Sequence, residues 1–158
     1  MANTQSMCTS FLGQLMTGTH NFGTAPVRAS GASDTFKAAL YLTSATIDAS
    51  TTAYSSTGEV TGTNYTAGGV TVTNATAPAS TNSSATAGVG YWTSSASIVY
   101  STVTLSTSFN AMLMYNSTQS NAAVAVFTFG SQTITAGNFT LTMPSNTTTT
   151  ALLRISTT

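Results

Sequence analysis

The sequence predicts an all-β fold: a single-domain β-sandwich, jelly roll first and immunoglobulin-like second, with a short N-terminal helix and arm. Three observations predict it. Several short stretches alternate apolar and polar residues with a period of two, turn residues separate them at short intervals, and Ser and Thr take the place of charge on the polar positions. Thr suits such positions because its β-branch fits a pleated strand while its hydroxyl keeps the outer face hydrated. The predicted division is 1–33 for the helix and arm and 34–158 for the sandwich.

At the N-terminus Met7, Phe11 and Leu15 recur at i, i+4 and i+8, with Cys8 and Leu12 beside them, so a short helix would carry one apolar stripe. Ser6 is its expected N-cap and Gly18 its stop. Gly13 inside it costs about 1 kcal/mol relative to Ala. Such a stripe either covers one end of the core or docks a neighbouring subunit. Residues 18–33 mix Gly, Pro and small polar residues without period and form a loop or arm.

From Phe36 the period becomes two. FKAALYL (36–42) places Phe36, Ala38, Leu40 and Leu42 on one face and Lys37, Ala39 and Tyr41 on the other, the pattern of a half-buried strand. Further strands are expected at 69–76, 97–105, 109–115, 122–129, 139–143 and 151–155. Turn signals stand between them at Gly68-Gly69, Asn116-Ser117, Gly130-Ser131, 136–138 and 144–146. The patternless APASTNSSATAG (77–88) is expected to be a long loop or irregular edge.

Composition bounds the function. A chain of 158 residues can bury a sizeable core. Hydrophobic residues make up 41%, but charged ones only 4%, three basic against three acidic, and 60–153 holds none. Zero net charge with a mean hydropathy of +0.17 argues against disorder. Three basic residues provide no electrostatic footprint for nucleic acid or an anionic membrane. No apolar run approaches the ~18 residues of a membrane span, and the first sixteen residues lack the regions of a secretory signal. The expected setting is therefore a cytoplasm, where the six Asn-x-Ser/Thr triplets are coincidences of composition.

The residues of chemistry are sparse. Cys8 is the single cysteine, with no partner for a disulfide or a metal, and is expected to pack. His20 is the single histidine, so any nucleophile–base or metal site would have to be built on it. Asp34, Asp48 and Glu59 are expected as solvated loop carboxylates, and their spacing is not that of a calcium loop. No phosphate-binding or dinucleotide-binding glycine motif is present. The chain is expected not to be an enzyme and to need no cofactor or metal. Aromatic residues without basic ones form a core rather than a nucleic-acid platform; the Gly-flanked pair Tyr91-Trp92 is the exception that could anchor a protein or sugar contact.

Taken together, FKAALY (36–41), the YTAGG turn (65–69), Tyr115-Asn116, AGNFT (136–140) and LLRI (152–155) resemble a family of small virion structural proteins of tailed bacteriophages. Residues 77–97 depart from that pattern, being richer in Ser, Thr and Ala and without acidic residues. The resemblance implies a capsid decoration (cement) protein that binds the major capsid protein as a homo-oligomer, dimer or trimer, and stabilises the head shell. The alternative it implies is a tail, neck or head-fibre component that contacts another tail protein or a host glycan. Either would place the chain in the virion, on the head surface in the first case, after assembly in the host bacterial cytoplasm. Neither nucleic acid nor membrane is an expected partner. The expected subunit or capsid interface is Met7, Phe11, Leu15, Tyr91 and Trp92.

Overall fold

The computed structural model describes residues 2–22, 33–81 and 87–157. It is an all-β sandwich of two antiparallel sheets with one short helix. The chain order is β1 (Ser6–Met7), α1 (Thr9–Met16), β2 (Phe36–Leu42), β3 (Val70–Val72), β4 (Ala79–Ser80), β5 (Val89–Trp92), β6 (Ile98–Asn116), β7 (Ala122–Leu141) and β8 (Leu153–Ser156). One sheet runs β1-β7-β6-β2-β3 and the other β4-β5-β8. This five-plus-three split, built round one long hairpin, sets the topology apart from the paired Greek keys of a jelly roll and from the four-plus-three of an immunoglobulin constant domain.

That hairpin corrects the expected strand list. The segments 97–105 and 109–115 are one strand, β6, and 122–129 and 139–143 are one strand, β7. Gly130-Ser131 and 136–138, expected as turns, lie inside β7, and the pairing shifts register between Val103 and Phe109. Thr102 and Ala136 take left-handed φ values of 53° and 45°. Polar side chains receive the amides displaced there: Thr102 N–H donates to Asn138 Oδ1 at 2.8 Å and Ala136 N–H to Thr104 Oγ1 at 3.0 Å. Turn-like residues thus serve as bulges, which bend a strand without ending it.

The bend is large. Tyr100 lies fourteen residues along β6 from Met114, the partner of Ala38, so a straight strand would separate them by roughly 45 Å. Yet the Tyr100 hydroxyl donates to the Ala38 carbonyl at 2.8 Å. The hairpin therefore doubles back, and strands that change layer through bulges are a known way to build such a corner. Phe109, Phe129 and Phe139 fill it, with ring centroids 5.1 to 6.0 Å apart.

The doubling back buries β2 on both faces, which corrects the half-buried expectation: Phe36, Ala38, Ala39, Leu40 and Tyr41 are all buried. Leu40 N–H donates to the Tyr65 hydroxyl at 2.9 Å. Phenols of two stacked tyrosines, Tyr65 and Tyr100, so complete the β2 edge beyond the short β3.

The N-terminus also differs from expectation. Ser6 and Met7 pair with Val126 and Ala125 as edge strand β1, so Met7 is not on the helix. Cys8 takes the N-cap position with extended backbone, and its amide donates to Val124 O at 2.9 Å. Sheet pairing outcompetes another helical turn because β7 offers backbone partners that a free N-terminus would lack. The expected stop holds: Gly18, at φ 64°, follows C-cap Thr17. Its N–H donates to Leu15 O at 3.0 Å and Thr19 N–H donates to Gln14 O at 2.9 Å, the paired bonds of a Schellman end. Of the arm expected at 18–33, residues 23–32 lie outside the described residues, as do 82–86 of the expected loop at 77–88. Ala79–Ser80, inside that expected loop, is a strand and corrects it in part, and Val89–Trp92 directly after it is another.

Candidate docking groove

Four of the five expected interface residues meet in one place. Phe11 and Leu15 of α1, Tyr91 and Trp92 of β5, and Leu153 and Ile155 of β8 line a groove of about 270 Å³, together with Pro78, Ala79, His20 and Phe22. Met7 lies elsewhere, in a cleft between β1 and β8 with Val126 and Leu153.

Local structure explains the convergence. Phe11 and Leu15 stand four apart on α1 and share a face, while the β5–β8 register sets Trp92 opposite Leu153 and Gly90 opposite Ile155. Gly90 carries no side chain, which leaves room above the sheet between Trp92 and Ile155. Phe22 is wedged beneath, its ring 4.3 Å from Phe36 and 4.8 Å from Trp92. Trp92 is buried, and its indole N–H donates to Thr76 O at 2.8 Å. It is therefore part of the floor and offers no open ring face for stacking a sugar. Phe11 is likewise a core residue at the edge of the groove.

Beside the groove, apolar side chains face outward. Leu12 and Met16 are exposed on α1, Met16 at 91%, and Ile155 at 45%. Leu12 and Met16, four residues apart, make a stripe of their own. These two, which sequence pattern set beside the stripe or left out, are the solvent-facing apolar residues of the helix, because Phe11 turns inward.

The titratable residues are placed differently from expectation. Asp34 and Glu59 are buried, at 5% and 6% exposure, rather than solvated. The Glu59 carboxylate accepts from Tyr54 OH at 2.6 Å, Tyr65 OH at 2.7 Å and Gly68 N–H at 2.8 Å. Tyr54 stacks on Tyr115, whose hydroxyl donates to Gly68 O at 2.9 Å. Burial, and the Glu59 charge beside it, pushes the Tyr115 phenol up to about 12; burial likewise raises Tyr41, Tyr54, Tyr65 and Tyr100. The YTAGG turn thus supplies two of the three donors to Glu59. Tyrosines clustered near one uncharged-looking stretch were the only sequence signal for this site.

Asp34 accepts from Asn116 Nδ2 at 2.7 Å, Asn21 N–H at 2.8 Å and Gln119 Nε2 at 3.1 Å. His20 is buried beside it, with Nδ1 3.0 Å from Asn116 Nδ2 and Nε2 2.8 Å from Gln14 Oε1. Burial lowers its basicity and Asp34 opposes that. Cys8 is not near this pair; its thiol faces Asp48 O at 4.0 Å, and burial, with Asp48 nearby, raises it to about 11. Asp48 itself is bound by Ser50 through hydroxyl and amide, at 2.6 and 2.8 Å, which holds its carboxyl below the usual value. Asp34, Asp48 and Glu59 do not converge, and among the described residues no three His, Cys, Asp or Glu side chains form a group that could hold a metal ion. No helix among the described residues is long and apolar enough to cross a membrane.

No protein-family model, no curated protein and no solved structure matches this chain.

Proposed function

We propose that the chain is a bacteriophage virion structural protein, a capsid decoration protein that binds the major capsid protein through the apolar groove between α1, β5 and β8. The observation that carries this reading is the groove itself: Leu15, Tyr91 and Ile155 stand together with exposed Leu12 and Met16 beside them, on a chain otherwise nearly devoid of surface charge. The resemblance of the FKAALY, YTAGG and Tyr115-Asn116 elements to small phage virion proteins supports the same reading.

A shell component occupies a fixed place among its neighbours. Its contacts can be built from apolar area, shape and uncharged hydrogen bonds. Many copies binding only the assembled lattice shift the assembly equilibrium toward it by mass action, without chemistry. On this reading the chain acts as a dimer or trimer on the head surface, its partners being the capsid protein and itself.

Quantifying the chain in purified particles tests the reading. Copies on the order of hundreds per particle, as a lattice requires, are expected; a handful matching the symmetry of a tail or neck would move the chain to those parts, and absence from particles would end the proposal.

A further inference from the structure

We infer that the hydrogen-bonded network Gln14–His20–Asn116–Asp34, buried from His20 onward, is an acid-sensitive latch: protonation of His20 releases residues 20–22, and with them withdraws Phe22 from the floor of the groove.

The geometry fixes the proton on the imidazole. Asn116 is fully buried, and its Oδ1 accepts from Thr118 N–H at 3.1 Å and Gln119 N–H at 3.2 Å in the turn between β6 and β7. Its Nδ2 donates to the Asp34 carboxylate at 2.7 Å. A flipped amide would set NH2 against two turn amides and an oxygen against a carboxylate. Asn116 therefore presents only N–H to His20, and Nδ1 must accept. Nε2 then carries the hydrogen and donates to Gln14 Oε1 at 2.8 Å. Only neutral imidazole satisfies both contacts. A second proton on Nδ1 would face a donor that cannot turn away.

The surroundings do not soften the conflict. Phe11, Phe22 and Phe36 surround the ring at 4.9, 6.3 and 6.2 Å. Asp34 favours the cation, but its carboxylate is occupied by Asn116, Asn21 and Gln119. The segment α1 (Thr9–Met16) brings no titratable group, the turn brings only amides and hydroxyls, and β5 brings the phenol of Tyr91 at the groove. From β8, Arg154 alternates with the groove-lining Leu153 and Ile155 and donates to Thr149 O. From β2, Lys37 stands near Gly68 on the far side.

His20 and Phe22 are two residues apart, and Asn21 between them is tied to the Asp34 of the same network, its N–H donating to Oδ2 at 2.8 Å and its carbonyl accepting from Asp34 N–H at 3.1 Å, so disrupting that network at His20 reaches the wedge that joins Phe36 to Trp92. The inference holds whatever partner the groove receives. One histidine and one tryptophan in the chain make it directly readable. Imidazole nitrogen NMR, tryptophan emission and far-UV circular dichroism are followed together as the pH is lowered on the full chain. The expected result is an unprotonated Nδ1 at neutral pH, a ring midpoint below about 6.5, a red shift of Trp92 emission at that same midpoint, and an unchanged strand signal. His20→Gln, which keeps an acceptor for Asn116 and a donor for Gln14, should abolish the red shift. A ring titrating at or above about 6.5, an emission that ignores its midpoint, strand signal lost with it, or a red shift persisting in folded His20→Gln would each overturn the latch; should that variant not fold, the ring and emission of the native chain decide.

Discussion

Tyr115 and Asn116 are neighbours in β6, and alternation along the strand turns them to opposite faces of the sheet. On one face Tyr115 stacks with Tyr54 and reaches Gly68 beside Glu59; on the other Asn116 joins Asp34 to His20 behind the groove. Each face therefore has a buried carboxylate satisfied by neutral donors. The difference lies in those donors. Phenols and a glycine amide hold Glu59, and the groups beside it lose their protons only in alkali. Amides hold Asp34, and burial lowers the basicity of the imidazole beside it, with Asp34 opposing. Two of the three acidic residues are thus used inside the fold, which leaves the surface to hydroxyl and apolar groups.

The comparison breaks most severely at the Glu59 face. A Cβ added at Gly69, where φ is 69°, would sit 1.6 Å from the Ala38 carbonyl oxygen, so Gly69→Ala forces apart the β2–β3 edge. Its expected cost exceeds about 4 kcal/mol, leaving little folded protein in a urea titration. Glu59→Ala strands Tyr54 OH, Tyr65 OH and Gly68 N–H and should cost about 3–5 kcal/mol, with Glu59→Gln closer to about 1–3, because one acceptor oxygen remains.

On the groove face, Asp34→Ala should cost about 2–4 kcal/mol by the same measurement, since Asn116 Nδ2, Gln119 Nε2 and Asn21 N–H lose their acceptor. Equal costs for Asp34→Ala and for a solvated-loop change such as Thr57→Ala would mean that Asp34 is not structural.

The pH profile should then have two limbs of different origin. The buried phenols have folded values above their unfolded one, so they stay neutral in the fold while the unfolded chain ionises; stability falls as pH rises above about 10. His20 has a folded value below its unfolded one, so the unfolded chain takes up the proton first; stability falls as pH drops below about 6.5. Stability measured by denaturant at several pH values should show His20→Gln flattening the acid limb alone. Loss of both limbs together would erase the distinction between the faces.

Much of the fold was legible because it depends on local periodicity. FKAALYL alternates in sequence and is β2; Gly18 follows an apolar stripe and ends α1. What was not legible depends on long-range contact. Gly130-Ser131 has the composition of a turn, and only pairing with β6 makes it part of a strand. Met7 fits a helical stripe and is claimed by β7 instead. Of the groove, Phe11 and Leu15 could be picked from a helical stripe and Tyr91 and Trp92 as a Gly-flanked aromatic pair, whereas Phe22 and Ile155 join them only through the fold. Asp34 looked like a loop carboxylate because a main partner is distant, Asn116 being 82 residues away; the partners of Glu59 are near in sequence, Tyr54, Tyr65 and Gly68, but no local period shows that the loop closes on the carboxylate.

The smallest expected change in stability carries the functional claim. Ile155 is exposed and Leu15 half-buried, so Leu15→Asp with Ile155→Asp should shift stability by only about 1 kcal/mol. Retention on phage heads, for this double variant and the native chain at low salt and in about 1 M NaCl, tests the account most directly. The prediction is equal retention of the native chain in both salts and no retention of the folded double variant. A native chain stripped by salt, or a double variant that binds as well as the native chain, would contradict it.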